Sequence, residues 1–229
     1  TMKNKCIYGL LVGAMMAGAC PVWGETVVGE TVSPSGSIKL VVVSDNDALY
    51  YKVVKGVTSI VEKSALGITT SVGDFSTGLS EPSFTERLVD DSYSLPSGKR
   101  SRYDNTYKEA TVSCNKDGHT VQFIFRVYDD GVAYRYAILG SGDISVYAEN
   151  SECLPVRQEK VYSQQYTKNN QALYEENDTE FMACELYTPL PLLVHTGSDY
   201  LLLTEAMVNG NYCGSSLFVN EETKAYGYR

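Results

Sequence analysis

The centre of the chain carries a regular alternation of apolar and polar residues on both sides of Asp129-Asp130-Gly131. Successive side chains of a β-strand point to opposite faces, so a period of two residues predicts strands. Glycine adopts a positive φ without steric cost, and Asp-Gly between two such segments is a strong hairpin signal. We predict a β-hairpin over residues 121–138, in which Asp129 and Asp130 shape the turn. The core-facing side chains of its first strand are Val121, Phe123, Phe125 and Val127.

Similar alternation, interrupted by turn signals, predicts strands along most of the chain. The other predicted strands are residues 37–44, 48–54, 58–62, 81–91, 107–113, 144–147, 189–195, 200–205 and 215–219. Residues 64–80 are predicted as loop with short extended pieces, and residues 163–172 as polar loop. Residues 25–229 show no long segment with the helical period. The pattern predicts an all-β fold, a large antiparallel β-sandwich. Alternation resumes at residues 225–229, so we expect further strands beyond them.

Tyrosine is the commonest aromatic residue, with 18 copies against 6 Phe and 1 Trp. Tyr suits a half-buried sheet face, because its ring packs while its hydroxyl reaches water. A large sheet protein explains this composition, and rings that stack on sugars are the alternative. The chain has 229 residues, 43% of them hydrophobic, which is enough to bury a core.

Residues 1–24 have the features of a secretory signal peptide. Two lysines precede a short apolar segment at residues 7–19, which ends in the small-residue cleavage site Ala17-Gly18-Ala19. The apolar segment is short for a transmembrane helix. Cleavage directly after this site would leave Cys20 first, as in a lipoprotein, and we expect membrane attachment only if Cys20 is lipidated. Val22-Trp23-Gly24 is an alternative cleavage site. The domain is therefore expected to cover residues 25–229 of an exported protein.

The charge of the chain limits its partners. The formal net charge is −9, and it becomes −11 once the two lysines of the signal region are removed. An acidic chain without a basic cluster argues against binding to nucleic acid or to anionic membranes. Four cysteines remain after removal of the signal region: Cys114, Cys153, Cys184 and Cys213. They allow three pairings, and both one disulfide and free, partly buried thiols stay open.

Acidic residues between positions 174 and 185 are the strongest chemical signal, because no motif for nucleophilic, nucleotide or zinc chemistry occurs. They are Glu175, Glu176, Asp178, Glu180 and Glu185. Carboxylate oxygens bind Ca²⁺, and paired carboxylates hydrolyse glycosidic bonds. A solvated acidic loop explains the same pattern. Glu205, which ends a predicted strand, is a weaker candidate for substrate binding, with a plain strand-end charge as the alternative.

Several short motifs occur in an order that is typical of one protein family. They are Ser33-Pro34-Ser35-Gly36, Gly73-Asp74-Phe75, Gly98-Lys99-Arg100, the hairpin segment 123–136, Tyr174-Glu175, Pro189-Leu190-Pro191-Leu192 and Leu203-Thr204-Glu205-Ala206. On these motifs the chain resembles the N-terminal domain of glycoside hydrolase family 97. The family consists of exported bacterial enzymes of the α-glucosidase and α-galactosidase kind.

The resemblance implies a supersandwich-like β domain that packs on a (β/α)8 barrel, followed by a small β domain. It implies that the catalytic carboxylates lie in the barrel, outside this chain, and that the substrate is an oligosaccharide. It also implies a Ca²⁺ ion near the catalytic acid, held by glutamates of which the N-terminal domain supplies one. Glu175 is the predicted ligand and Glu176 the second choice. The sequence departs from the family at Asn177-Asp178-Thr179, where the resemblance implies a more aromatic or proline-containing segment. The implied location is the periplasm or outer membrane of a Gram-negative bacterium.

Two other functions remain open from the residues alone. One is a non-catalytic carbohydrate-binding β-sandwich module that uses tyrosine faces as its platform. The other is a purely structural β-sandwich of an exported surface protein.

Overall fold

The computed structural model describes residues 25–140, 142–167, 171–178, 188–210 and 214–229. These residues form strands, turns and loops without a helix, so the prediction of an all-β fold is confirmed. None of them forms a helix suited to crossing a membrane. Several predictions fall outside the described residues, namely those for residues 1–24, Cys184, Cys213, Glu180 and Glu185.

The strands are short, and all of their pairings are antiparallel. The first seven are β1 (Thr26–Val32), β2 (Ile38–Asp45), β3 (Ala48–Lys55), β4 (Thr58–Leu66), β5 (Ile68–Thr70), β6 (Gly73–Asp74) and β7 (Ser80–Asp90). The next seven are β8 (Tyr93–Ser94), β9 (Arg102–Tyr103), β10 (Thr106–Lys116), β11 (His119–Val127), β12 (Val132–Leu139), β13 (Val146–Glu149) and β14 (Glu152–Cys153). The last seven are β15 (Lys160–Gln164), β16 (Tyr174–Asn177), β17 (Thr188–Pro189), β18 (Leu192–His195), β19 (Tyr200–Leu203), β20 (Ser216–Val219) and β21 (Tyr226–Tyr228).

The first large sheet has the strand order β1-β2-β3-β4. Asn46 and Asp47 connect β2 to β3 with φ angles of 50° and 58°, the left-handed conformation of a tight hairpin turn. The strands predicted over residues 37–44 and 48–54 are confirmed, and β4 continues four residues beyond its predicted end. β1 was not predicted, because a register shift between Val27 and Gly29 interrupts the alternation.

The second large sheet has the order β12-β11-β10-β7 and contains the predicted hairpin. Val121 pairs with Ile138, and the four side chains expected in the core are buried. The turn occupies residues 128–131, where the Gly131 carbonyl accepts a hydrogen bond from the Tyr128 amide at 2.8 Å. Positive φ angles occur at Asp117 and Gly118, between β10 and β11, and not at Gly131. The steric argument for glycine therefore applies to the preceding turn.

Asp129 joins this hairpin to the turn at Ser33-Pro34-Ser35-Gly36. Its Oδ1 atom accepts hydrogen bonds from the Ser35 amide at 2.9 Å and from the Ser35 hydroxyl at 2.7 Å. The Asp129 carbonyl accepts a third from Ser37 at 2.9 Å. The hydrogen bonds from Ser35 lower the pKa of the Asp129 carboxyl. Asp129 thus has the structural role that its position in a turn predicted.

The two large sheets pack face to face, as in a β-sandwich. The ring of Tyr51 in β3 lies 6.5 Å from that of Phe125 in β11 and 5.7 Å from that of Tyr134 in β12. At the other end, Gly29 of β1 lies against Phe84 of β7, so closely that a Cβ atom would overlap the ring. The buried side chains of both sheets belong to one continuous core.

Four smaller sheets complete the described fold. Their strand orders are β13-β5-β6, β14-β21-β20-β17, β16-β15-β18-β19 and β8-β9. The expectation of a polar loop from residue 163 is wrong for Ser163 and Gln164, which belong to β15 and are buried. β15 was missed because polar side chains at buried positions do not give an apolar alternation. Its neighbours β16 and β18 make these positions internal.

Cys114 and Cys153 are free thiols, and both are buried in the core. Burial raises the pKa of Cys114 to about 11 and that of Cys153 to about 12. For these two cysteines the structure supports the alternative of free thiols.

Candidate functional site

The predicted metal ligand Glu175 lies on β16, an edge strand of the sheet β16-β15-β18-β19. It pairs with Ser163 of β15, and the neighbouring pair is Asn177 with Val161. Since alternate residues share one face, Glu175 lies on the same side of the sheet as the buried Val161. The other inner side chains of this sheet are Val194, Leu192 and Leu203. Glu175 therefore continues the core face at a sheet edge, where its own side chain is exposed.

Glu175 and Glu176 have different surroundings although they are adjacent. Glu176 points to the opposite face, where its carboxylate accepts a hydrogen bond from the Tyr162 hydroxyl at 3.0 Å and pairs with Lys160 at 3.2 Å. The Tyr162 hydrogen bond and then the Lys160 ammonium lower the pKa of Glu176. Within the described part of the chain, the Glu175 carboxylate has neither a hydrogen bond nor an ion pair. It is thus the carboxylate that is available to an external cation.

A single free carboxylate can supply only part of a calcium site. Ca²⁺ takes six to eight oxygen ligands, of which a glutamate provides one or two. No group of three or more His, Cys, Asp or Glu side chains that could hold a metal occurs among the described residues. The donor chemistry of Glu175, an exposed and negatively charged oxygen ligand, fits Ca²⁺, and the remaining ligands of such a site would have to come from other residues.

Glu205, the second candidate, follows β19 and is engaged in a structural contact. Both of its carboxylate oxygens accept a hydrogen bond from the Ser215 amide, each at 3.2 Å. This contact satisfies a backbone donor just before β20, which otherwise would need another partner. The geometry supports the simpler interpretation of Glu205, a charged residue at a strand end whose carboxylate binds the Ser215 backbone amide.

Glu149 is a carboxylate that sequence reasoning did not select. It is half-buried at the end of β13, and the Tyr134 hydroxyl donates a hydrogen bond to its Oε1 atom at 3.3 Å. Burial raises the pKa of Glu149, and the charge of Glu205 raises it further. The structure brings Glu149 and Glu205 into one electrostatic environment that does not include Glu175. No sequence signal could have identified this pair, since Glu149 lies where the alternation is weakest.

Glu149 also borders an open cleft of about 360 Å³. The cleft is lined by Ala148, Glu149, Asn150, Ser151, Glu152, Phe218, Gly227, Tyr228 and Arg229. Arg229 lies over the Phe218 ring, with its guanidinium carbon 4.6 Å from the ring centre. Glu152 is held by the Asn220 side chain at 2.6 Å. Glu152, Asn150 and Ser151 of the cleft thus form hydrogen bonds with residues outside its lining.

Known proteins resemble this chain over most of its length. It is 29% identical over 200 residues to a protein named probable retaining alpha-galactosidase from Streptomyces bingchenggensis (strain BCW-1), a match that covers 84% of this chain and 30% of that protein. Its fold matches a crystal structure of a beta-arabinopyranosidase with a TM-score of 0.80 at 24% identity, over 88% of this chain and 35% of that one.

A second solved structure with the same fold is a glycoside hydrolase family 97 enzyme from Pseudoalteromonas sp. strain K8 in complex with acarbose. Its TM-score is 0.75 at 16% identity, and the match covers 88% of this chain and 31% of that one. The chain thus spans about a third of the length of these relatives. The family profile described as glycosyl-hydrolase 97 N-terminal matches residues 31–229, and the chain therefore belongs to the glycosyl-hydrolase 97 N-terminal family.

Proposed function

We propose that the chain is the N-terminal domain of an exported, calcium-dependent glycoside hydrolase that acts on α-glucosides or α-galactosides. In this proposal it packs on a (β/α)8 catalytic barrel, which carries the catalytic carboxylates, and it contributes Glu175 to a Ca²⁺ site. The observation that carries the proposal is the pair Glu175 and Glu176, of which only Glu175 presents a carboxylate without a partner among the described residues.

The relatives support the class of reaction. The curated relative is named as an alpha-galactosidase, one solved relative is a beta-arabinopyranosidase, and another is in complex with acarbose. These names concern different sugars, so we assign the reaction as hydrolysis of a glycosidic bond in an oligosaccharide. Because the chain spans about a third of these proteins, the activity is assigned to the full-length protein.

The chain's own contribution to the reaction is positioning. β16 holds Glu175 at a sheet edge, because its pairing with β15 and the buried Val161 determine which face each side chain occupies. The Lys160 and Tyr162 contacts keep the neighbouring Glu176 on the other face. When bound, Ca²⁺ would supply positive charge that stabilises negative charge developing at the reacting atoms.

Calcium binding by the full-length protein tests this assignment. We expect Glu175→Gln to weaken Ca²⁺ affinity by about tenfold or more, because the amide keeps the shape but loses the charge that the cation needs. Titration calorimetry with CaCl₂ measures the effect. The matched control is Glu176→Gln, which should change the affinity by less than about twofold. Unchanged affinity in the Glu175 variant, or a loss only in the Glu176 variant, would contradict the assignment.

Export is a separate part of the proposal. It rests on the basic, apolar and small-residue segments of residues 1–24. We expect the protein purified from the periplasm or membrane to lack these residues, and intact mass spectrometry measures the new N-terminus. A lipid adduct on Cys20 would place the protein at the membrane, and an uncleaved N-terminus would refute the signal peptide.

A further inference from the structure

The segment between β7 and β10 forms a hairpin of its own, and we name residues 91–105 the arm. Its strands β8 and β9 pair with each other and with no other described strand. At the base, the Asp91 amide donates a hydrogen bond to the Asn105 carbonyl at 2.9 Å, and the Tyr107 hydroxyl donates one to the Asp91 carboxylate at 2.7 Å. Residues 93–102 are all exposed. The arm therefore projects from the sandwich on a fixed base.

The arm unites two sequence features to which the proposed function gives no role. One is the abundance of tyrosine, for which stacking on sugars is an alternative explanation. The other is the motif Gly98-Lys99-Arg100, which forms the tip of the arm. Gly98 has a φ of 127°, which glycine adopts without steric cost. The tip thus depends on its glycine for the turn, and the two residues that follow are free to serve another purpose.

Tyr93 and Tyr103 form an aromatic step on the arm. They pair across the two strands, with ring centres 5.1 Å apart and ring planes at 12°. The pair stiffens a hairpin that would be marginally stable alone. By contrast, Tyr51 and Tyr134 pack in the core at a tilt of 50°. Tyr93 is 48% exposed, so the arm presents a fixed aromatic surface to solvent.

Lys99 and Arg100 place unpaired positive charge at the tip. Neither side chain forms a hydrogen bond or an ion pair with any described residue, whereas Arg102 is held by Asp104 at 2.9 Å. The chain has 28 acidic and 19 basic residues, so a cation that needs an internal partner has many to choose from. Strand residues rise about 3.3 Å each, which puts the tip about 10 Å from the tyrosine pair.

We propose that the arm binds an acidic oligosaccharide, with one sugar ring stacked on Tyr93 and the carboxylate of another sugar held by Lys99 and Arg100. This inference rests on the proposed function, which supplies carbohydrate as the class of ligand. The apolar face of a sugar ring suits the amphipathic ring of tyrosine. The planar guanidinium of arginine matches the planar carboxylate of a uronic acid. The separation of the two contacts requires a ligand longer than one sugar unit.

Other anionic partners fit the arm less well. Aromatic and basic side chains also occur together in proteins that bind single-stranded nucleic acid or membrane surfaces. Such partners are long or extended, and they would meet the rest of the chain as well as the arm. The formal net charge of the chain is −9, which repels them. A short acidic oligosaccharide contacts the arm alone.

Titration calorimetry on the full-length protein tests the class of ligand. We expect trigalacturonate to bind at least about fivefold more tightly than the neutral maltotriose, and this preference should fall as NaCl is raised, because salt screens exposed charges. Equal affinity for the two sugars, or no binding of either, would overturn the proposal. Tighter binding of an oligothymidylate or of anionic lipid vesicles would replace it with one of the other partners.

The aromatic contact is tested at Tyr93. Tyr93→Ala should weaken trigalacturonate binding by about tenfold, and Tyr93→Phe should restore it to within about twofold, because the ring is retained. Tyr147→Ala is the matched control, since Tyr147 is 69% exposed on β13 and stacks on no ring in the described structure. A loss of the same size in the Tyr147 variant would show that the arm is not the site.

The charge contact is tested at the tip, where the tyrosine pair stays intact. Arg100→Gln should weaken trigalacturonate binding by about fivefold and leave maltotriose binding unchanged, because only the acidic ligand uses the charge. The control is Arg157→Gln, the same change at an exposed arginine that has no ion pair among the described residues. If both variants bind trigalacturonate as the wild type does, the tip takes no part and the proposal fails.

Hydrolysis of nitrophenyl α-glucoside and nitrophenyl α-galactoside is measured in parallel. These substrates carry a single sugar, so the arm variants should hydrolyse them at the wild-type rate. Binding of trigalacturonate without hydrolysis of either substrate would contradict the proposed function but not the site on the arm. Hydrolysis without trigalacturonate binding would do the reverse.

Discussion

At the scale of single residues, four glutamates of the chain have four different environments. Glu175 is exposed without a partner in the described structure, and Glu176 is held by Tyr162 and Lys160. Glu109 is buried between two arginines, with Arg87 at 2.5 Å and Arg126 at 3.2 Å. Glu149 is half-buried beside the Tyr134 hydroxyl and in the field of Glu205. Composition alone treats these side chains as equal charges.

Replacing Glu149 by Gln is expected to stabilise the protein at neutral pH. Burial raises the pKa of Glu149 in the folded state, so its ionisation opposes folding. The wild-type protein therefore loses folding stability as the pH rises above 4.5, the ordinary pKa of a Glu carboxyl. The Glu149→Gln variant avoids this loss, because its amide stays neutral. Urea unfolding at pH 7.5 and at pH 4 measures the difference in the free energy of unfolding. A stabilisation that is equal at both pH values would contradict the electrostatic explanation.

The control for this prediction is Glu109→Gln, for which we expect the opposite sign. Burial raises the pKa of Glu109, but the hydrogen bonds and charges of Arg87 and Arg126 outweigh it and the pKa is lowered. Its stabilising contribution is present at neutral pH and is lost as the pH falls below 4.5 through the lowered pKa. Glu109→Gln should lower the free energy of unfolding by about 1 kcal/mol at pH 7.5. This value is modest because the arginine side chains remain open to water.

At the scale of elements, the hairpin of β11 and β12 shows how far local patterns reach. Its two strands and its buried face follow from the alternation of residues 121–138, as predicted. Its turn does not follow the Asp-Gly rule, in which glycine is needed for a positive φ, because Gly131 has no positive φ. Instead, Asp129 accepts a hydrogen bond from Ser35, 94 positions away in the sequence. β15 shows the opposite case, in which polar residues become internal only after two strands pair with it.

Truncation of Phe125 tests the importance of β11 for the core. Its fully buried ring lies 6.5 Å from that of Tyr51 and 6.1 Å from that of Tyr134. Phe125→Ala should cost about 3–5 kcal/mol in the free energy of unfolding, because a large cavity replaces these contacts. Leu88→Ala on an exposed strand position should cost less than about 0.5 kcal/mol. Similar losses in both variants, measured by urea unfolding, would argue against this core.

At the scale of the whole molecule, the two large sheets form one packed unit. Tyr51 contacts rings of the opposite sheet, and Gly29 of β1 leaves space for Phe84 of β7. Such contacts connect residues that are far apart in sequence and depend on how the two sheets are oriented.

A double-mutant cycle at Gly29 and Phe84 tests the contact between the sheets. Gly29→Ala should destabilise the protein by about 1–3 kcal/mol, because the added methyl group overlaps the Phe84 ring. Most of this cost should disappear in a Phe84→Ala background, where the space is free. Thermal and urea unfolding of the four proteins give the coupling energy. Additive effects would show that the cost comes from the β1 backbone and not from the opposite sheet.

The amino-acid sequence by itself determined the all-β class, most strand positions and the family, because period-two patterns and ordered motifs are local properties of the chain. For the proposed metal ligand, the resemblance ranked Glu175 first and Glu176 second. Tertiary structure shows how the surroundings of the two side chains differ, since strand pairing places Glu176 beside Lys160 and Tyr162, whereas the Glu175 carboxylate has no partner among the described residues. It also decided the role of Glu205 and the environment of Glu149. These depend on burial and on contacts between distant segments, which form only when the sheets pack.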